Sequence, residues 1–148
     1  MVDVSSKSPT LRIALAHTVV HVTPSIMESL IENRNAKGDA LAVARIAGIS
    51  AAKKTSDLIP LCHNIPLSNV KIEFKLHDDE NKIEIFGRAK TKSETGVEME
   101  ALAAVSVSAL VIYDMCKALT HEMSIGPTTL LGKRGGKRDF GVVEIEDL

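Results

Sequence analysis

Apolar and polar residues alternate from Leu11 onward, with Leu11, Ile13 and Leu15 set against Arg12, Ala14 and Ala16, and the β-branched Val19, Val20 and Val22 follow. That spacing predicts a strand over residues 11–22. Pro24 and Ser25 open a short amphipathic helix through Ile26, Met27, Leu30 and Ile31, and RNAKGD, residues 34–39, reads as a loop. Asp39 is placed to cap a second helix over residues 40–54, where Leu41, Ala44, Arg45 and Gly48 suit close packing. The next stretch, KKTSDLIPLCHNIPLSN, has two prolines, too irregular for a strand and too apolar for an ordinary solvent loop. VKIEFKL and KIEIFGRA then alternate on either side of a turn at residues 78–81, the pattern of a β-hairpin. Residues 123–131 and 140–145 read as strands, separated by the basic, Gly-rich loop GKRGGKRD, residues 132–139.

Between hairpin and last strands lies the stretch that organises the chain, TGVEMEALAAVSVSALVIYDMCKAL. Apolar or small residues recur at Val97, Ala101, Ala104, Val105, Ser108, Val111, Ile112 and Met115, a helix with one broad buried face. Thr95 is a candidate N-cap with Glu98 at capping-box spacing, and Lys117 suits the negative end of the helix dipole. From Ala101 to Ala109 few side chains can fill space, so another backbone must come close, and the stretch offers a surface for a second chain. Strands and helices alternate without regular βαβ spacing. The expected fold is therefore α+β, an antiparallel sheet covered on one face by helices.

Composition narrows the function classes. The 148 residues fit one domain, with residues 1–9 a loosely held polar arm. Aromatics are only 3% with no Trp, so the core must be aliphatic and stacking on bases is not expected. A formal net charge of −1 gives no global pull on nucleic acid, and anions must be met by local clusters. Cys62 and Cys116 are too few for a disulfide framework and suit a reducing compartment. The N-terminal MVDVSSKSP lacks a signal-peptide pattern, and the longest apolar run is interrupted by Ser106 and Ser108. A cytoplasmic protein that engages neither membrane nor nucleic acid is expected.

Two segments carry cations, RNAKGD with Lys37 and GKRGGKR with Lys133, Arg134, Lys137 and Arg138. The second can wrap N–H groups and cations round phosphates, although it lacks P-loop spacing and a solvated basic loop is the bland alternative. Cys62 and His63 are adjacent, and adjacent ligands rarely reach one ion, so no metal site is expected. His63 is the better candidate for an acid, base or hydrogen-bond donor, against the reading of a histidine satisfying its own loop. Glu100 and Asp114 stand about 21 Å apart along an unbroken helix and cannot meet at one reacting bond. Asp114 and Lys117 can share a site. Glu98 or Glu100 must then serve the far end of a long ligand or a neighbouring copy.

AKGD, ARIAGI, KKTSDLIPLCH, TGVEMEALAAVSVSALVIYDMCKAL and GGK, in this order, resemble the cyclic pyranopterin monophosphate synthase family, protein C of molybdenum cofactor biosynthesis. The resemblance covers Thr10 to Phe140. It implies a ferredoxin-like α+β domain, a homohexamer built as a trimer of dimers, and sites at the dimer interface. The implied substrate is a dihydro-GTP cyclised between ribose C3′ and purine C8, rearranged with loss of diphosphate. No resident cofactor is implied, and Mg²⁺ accompanying the diphosphate is left open. Residue by residue, Asp114, Lys117 and Lys37 match the catalytic positions. Leu61, Cys62, His63, Met99 and Glu100 match the substrate-binding segments, with Glu98 beside them and Arg12 and Lys133 as basic residues near substrate. A buried Lys117 with a lowered pKa would serve as a base. The chain departs from the family pattern at Asn64, Glu94 and Arg134, and Arg134 is expected to restore the cation lost at Glu94. The competing readings are a non-catalytic pterin or nucleotide carrier and a purely structural oligomer. Asp114 with Lys117 is superfluous for the first, and the LCH loop is unexplained by the second.

Overall fold

The computed structural model describes residues 1–147, Asp147 by its backbone alone. Element order is β1 (Thr10–His21), α1 (Pro24–Ile31), α2 (Ala40–Lys53), α3 (Thr55–Leu58), β2 (Asn69–His77), β3 (Lys82–Ser93), α4 (Glu98–Cys116), β4 (Ser124–Ile125), β5 (Thr129–Arg134), β6 (Phe140–Gly141) and a 3-10 turn at Ile145–Asp147. The sheet runs β2-β3-β1-β5-β6 with antiparallel neighbours, and β4 pairs with the end of β1. Strands in the order β2-β3-β1-β5, with helical connections after β1 and β3, form the split βαββαβ arrangement of ferredoxin-like domains.

Alternation along the strands decides which face the helices cover. In β1 the even positions Ala14, Ala16 and Val20 face the main core, and their register partners Ala89, Gly87 and Ile83 in β3 face it with them. Leu15 and Phe86 point the other way, where Ile145 of the C-terminal segment closes a small second cluster. Small residues beneath α4 let it sit close on the sheet: a Cβ built on Gly87 would lie 2.6 Å from Val105 Cγ1.

The other flank of α4 is closed by α2. A Cβ built on Gly48 would collide with Ser108 Oγ and Ile72 Cδ1 and lie 2.8 Å from the Ala104 carbonyl, and Ser108 Oγ donates to the Ala44 carbonyl at 3.0 Å. The close neighbour on this flank of the small-residue stretch is therefore a helix of its own chain. Helix α4 is by length and composition apolar enough to cross a bilayer, and half of it is buried inside the domain.

Several local expectations are corrected. The N-cap of α4 is Val97 without a side-chain cap, not Thr95: the helix begins at Glu98, which is thus its first residue and not the third that a capping box needs, and whose Oε1 accepts from Lys133 Nζ at 2.6 Å. The strand read over residues 123–131 is interrupted at Gly126, where φ is +113°, and at Pro127, which has no N–H to continue a ladder. The loop read as residues 132–139 begins only after Arg134, since β1 is long enough to pair Lys133 with Ala14. The strand expected over residues 140–145 stops at Gly141, whose φ of +62° turns the chain. Asp39 caps α2 as expected, accepting from the Ala42 N–H at 2.9 Å.

The packing at Gly48 is testable. In an exposed helix Gly→Ala would stabilise by about 1 kcal/mol, but here the new methyl meets the backbone of α4. Gly48→Ala should instead destabilise by about 1–3 kcal/mol, read by urea unfolding. A variant as stable as the parent would show that α2 and α4 do not meet this closely.

Candidate active site

Helix α4 presents chemistry at both ends, and the loops flanking α2 complete each end. At the N-terminal end, Leu61, Cys62, His63 and Ile65 face Thr95, Gly96, Glu98, Met99 and Glu100 round a pocket of about 350 Å³. The loop arrives there because α3 ends at Leu58 and the Cys62 N–H closes a turn on the Ile59 carbonyl at 3.1 Å. Glu100 is only 3% exposed, and its Oε2 is buried without a hydrogen-bond partner. Burial, and secondarily the charge of Glu98, push its carboxyl above the ordinary 4.5. The same burial, with the charge of Glu100, raises the Cys62 thiol, the opposite of an activated nucleophile. His63 Nε2 lies 2.7 Å from the Val2 carbonyl, which ties the N-terminal arm to this loop.

A second cleft of about 550 Å³ shares Thr95, Gly96 and Glu98 with the first. Its walls carry Lys7, Arg12, Lys133 and Lys137 together with Glu94 and Glu98, and Gly135 and Gly136 keep its rim low. Arg12 is aimed by Nε and Nη2, which donate to the Ser93 and Glu94 carbonyls at 3.3 and 3.2 Å. Arg134 contributes nothing here, contrary to expectation: its guanidinium donates to the Phe140 and Gly141 carbonyls at 2.7 Å and to its neighbour Lys133 at 3.0 Å, tying β5 to β6. Lys7 and Ser8 belong to the arm and were not legible as site residues, because a short polar N-terminus carries no pattern that fixes where it lies.

At the C-terminal end of α4, Asp114 is held between two lysines. Lys117 Nζ lies 2.6 Å from its Oδ1 and Lys37 Nζ 2.9 Å from its Oδ2, while Lys37 also donates to the Asp114 carbonyl at 3.1 Å. Chiefly through the Lys117 hydrogen bond, then that of Lys37, the Asp114 carboxyl is lowered to about 2. Lys117 is half-exposed and its pKa is raised above 10.5 by the same pair, so the expectation of a buried lysine poised as a base is corrected. It is a proton donor at neutral pH. The loop bearing Lys37 is anchored by Asn35, whose Nδ2 donates to the Met115 carbonyl and whose Oδ1 accepts from the Lys37 N–H. A small pocket of about 120 Å³, lined by Lys37, Asn35, Met115 and Leu119, opens beside it.

The expected residues thus fall into two groups. Leu61, Cys62, His63, Glu98, Met99, Glu100, Arg12 and Lys133 gather at one end of α4 and Lys37, Asp114 and Lys117 at the other. About 21 Å of helix separates Glu100 from Asp114. Among the described residues no group of three or more His, Cys, Asp and Glu side chains is arranged to hold a metal ion.

A ring-sized pocket with a buried carboxyl, a basic cleft running on from it and a separate lysine–aspartate–lysine cluster make up the equipment of an acid–base enzyme for an anionic, nucleotide-like substrate. The model of the MoaC family matches residues 1–136, and the chain belongs to that family. A Brevibacillus brevis protein named cyclic pyranopterin monophosphate synthase is 53% identical over 137 residues, 93% of this chain and 85% of that protein. One of the same name from a Geobacillus species is 54% identical over 141 residues, 93% of this chain and 82% of its own length. Molybdenum cofactor biosynthesis protein 1 of Drosophila melanogaster is 51% identical over 140 residues, 95% of this chain but 25% of that much longer protein.

The buried carboxyl makes a prediction with a definite sign. A folded-state pKa above the unfolded value means that the unfolded chain releases the Glu100 proton first as pH rises, so the native state loses stability from about pH 4.5 upward. Glu100→Gln, which cannot ionise, should be more stable than the parent at pH 7, with the difference vanishing below about pH 4. Urea unfolding at the two pH values checks this, and a parent at least as stable as the variant at pH 7 would contradict it.

Proposed function

We infer that the chain is a cyclic pyranopterin monophosphate synthase, a lyase of molybdenum cofactor biosynthesis acting on a dihydro-GTP cyclised between ribose C3′ and purine C8. The observation that carries the reading is the Lys37–Asp114–Lys117 cluster, which a binding-only carrier would not need. Relatives of that name covering most of this chain support it. Purine-derived rings fit the pocket of the LCH loop, where the buried Glu100 carboxyl and His63 meet ring N–H and carbonyl groups. The triphosphate runs along the basic cleft, where Arg12 and Lys133 neutralise charge as diphosphate leaves.

Lys117, kept protonated by Asp114, supplies protons as the purine-derived rings open and reclose, and Asp114 takes them up once substrate draws its lysines away. Between the ordinary carboxylate value of 3.8 and the ordinary lysine value of 10.5 neither partner changes charge in the free protein. Lys37 stands with this pair rather than with the Gly-rich loop of its own chain, so any phosphate it meets comes from a substrate held by another copy.

The two groups cannot meet at one reacting bond within a chain, which supports a site shared across a dimer and, with it, the homohexamer built as a trimer of dimers, against an extended ligand that spans both ends. Exposed apolar side chains on the outer helical face, Val43, Ile46, Leu110 and Met99, offer the surface to be covered. The two unpaired cysteines support a cytoplasmic location.

Incubation with the cyclised GTP intermediate should yield the pterin product and diphosphate, read by mass spectrometry, and its absence would favour the carrier. Asp114→Ala and Lys117→Ala should abolish turnover while fold and oligomer survive. Mixing inactive Asp114→Ala with inactive Glu100→Ala protein, under conditions that exchange subunits, should restore up to about half the activity per mixed dimer, because one of its two sites then carries no lesion. Demonstrated exchange without recovered activity would place each site within one chain.

A further inference from the structure

The loop that carries Lys37 has no helix or strand of its own between α1 and α2, yet its lysine must be placed to within a fraction of an ångström for a charge-assisted hydrogen bond. One side chain does the placing. Asn35 is half-buried, and both ends of its amide are used: Nδ2 donates to the Met115 carbonyl at 2.9 Å and reaches Cys116 Sγ at 3.6 Å, while Oδ1 accepts from the Lys37 backbone N–H at 2.8 Å. The Gly38 N–H then closes on the Asn35 carbonyl at 3.0 Å, with Gly38 in the left-handed region at φ +98°. Met115 belongs to the last turn of α4, where carbonyls have no partner within the helix. The same turn carries Asp114.

We propose that Asn35 is a positioning residue of the reaction, a clamp that ties the Lys37 loop to the end of α4 and so fixes Lys37 against Asp114. The inference rests on the reading of Lys37, Asp114 and Lys117 as the reacting cluster. Only an amide of this length supplies a donor for one backbone and an acceptor for the other. Aspartate keeps the acceptor toward Lys37 but sets a second oxygen against the Met115 carbonyl, and serine is too short to span the gap. The bland alternative is a loop residue whose loss costs stability and nothing else.

Three readouts separate the two. With the cyclised GTP intermediate as substrate, Asn35→Ala and Asn35→Asp should lower kcat by about tenfold to a hundredfold with KM changing less than about threefold. Melting temperatures should stay within a few degrees of the parent. In a Lys37→Ala background, Asn35→Ala should cost little more, because Asn35 acts through Lys37, whereas a structural role would add its full loss again. The third readout does not depend on turnover. The Asp114 carboxyl, followed by carbon NMR, should titrate higher in Asn35→Ala than in the parent, moving in the same direction as in Lys37→Ala.

An unchanged kcat in a parent that turns over the intermediate, or an unchanged Asp114 titration whether or not it does, overturns the clamp. A parent that titrates as described but makes no pterin product overturns the functional reading while the clamp stands.

Discussion

Everything at the site depends on how closely α2 can approach α4. Gly48 meets Ser108 and the Ala104 carbonyl with no room for a methyl, and Ser108 fastens the contact by donating to Ala44. The two helices are held antiparallel, so the start of α2 lies beside the end of α4 and the segment after α2 beside its start. Lys37 precedes α2 and reaches Asp114; the LCH loop follows α3 and reaches Glu100. One helix pair thus delivers two loops to opposite ends of a single rod. A bulkier residue at Gly48 would spread the pair and move both loops together.

Electrostatics explains why the two ends differ in chemistry. The start of α4 favours anions, and two carboxylates stand there, yet one is neutralised by Lys133 and the other is buried away from water. That leaves a pocket whose floor carries a carboxyl raised by its burial, beside a cleft with several cations. The far end disfavours an anion, and Asp114 stays ionised there because two lysines outweigh the helix carbonyls. An ion pair this exposed adds little stability in water. Folding alone therefore gives little reason for the pair on the last turn of α4.

The elements whose pattern comes from one-sided burial were legible in the chain: β1, the β2–β3 hairpin, α2 with its Asp39 cap and α4. What was not legible depended on partners distant in sequence. Thr95 looks like a cap, but the helix starts at Glu98, whose carboxylate meets Lys133, 35 residues further on. Lys133 looks like loop until Ala14 supplies a strand to pair with. Small residues on α4 announce a close neighbour without saying whose, and on the flank of Ala104 and Ser108 that neighbour is α2. Of the site, Asp114 with Lys117 follows from helical spacing alone, whereas Lys37 came from family resemblance and Asn35 looked like any asparagine in a turn.

Both ends of α4 are open to solvent in the single chain. Leu61 and Met99 line the ring pocket while 72% and 38% exposed, and Leu119 beside Lys37 is 56% exposed. Charges act more strongly once bulk water is excluded. A surface laid across both halves would cover these apolar rims and bring the Asp114 cluster of one copy to the ring pocket of another. The same step would lower the dielectric round Asp114 and its lysines, strengthening a contact that is weak in the free chain. Under this reading assembly and catalysis share a cause: α4 holds the two groups of residues apart, and the surface that would bring them together is also the one that would dry the site.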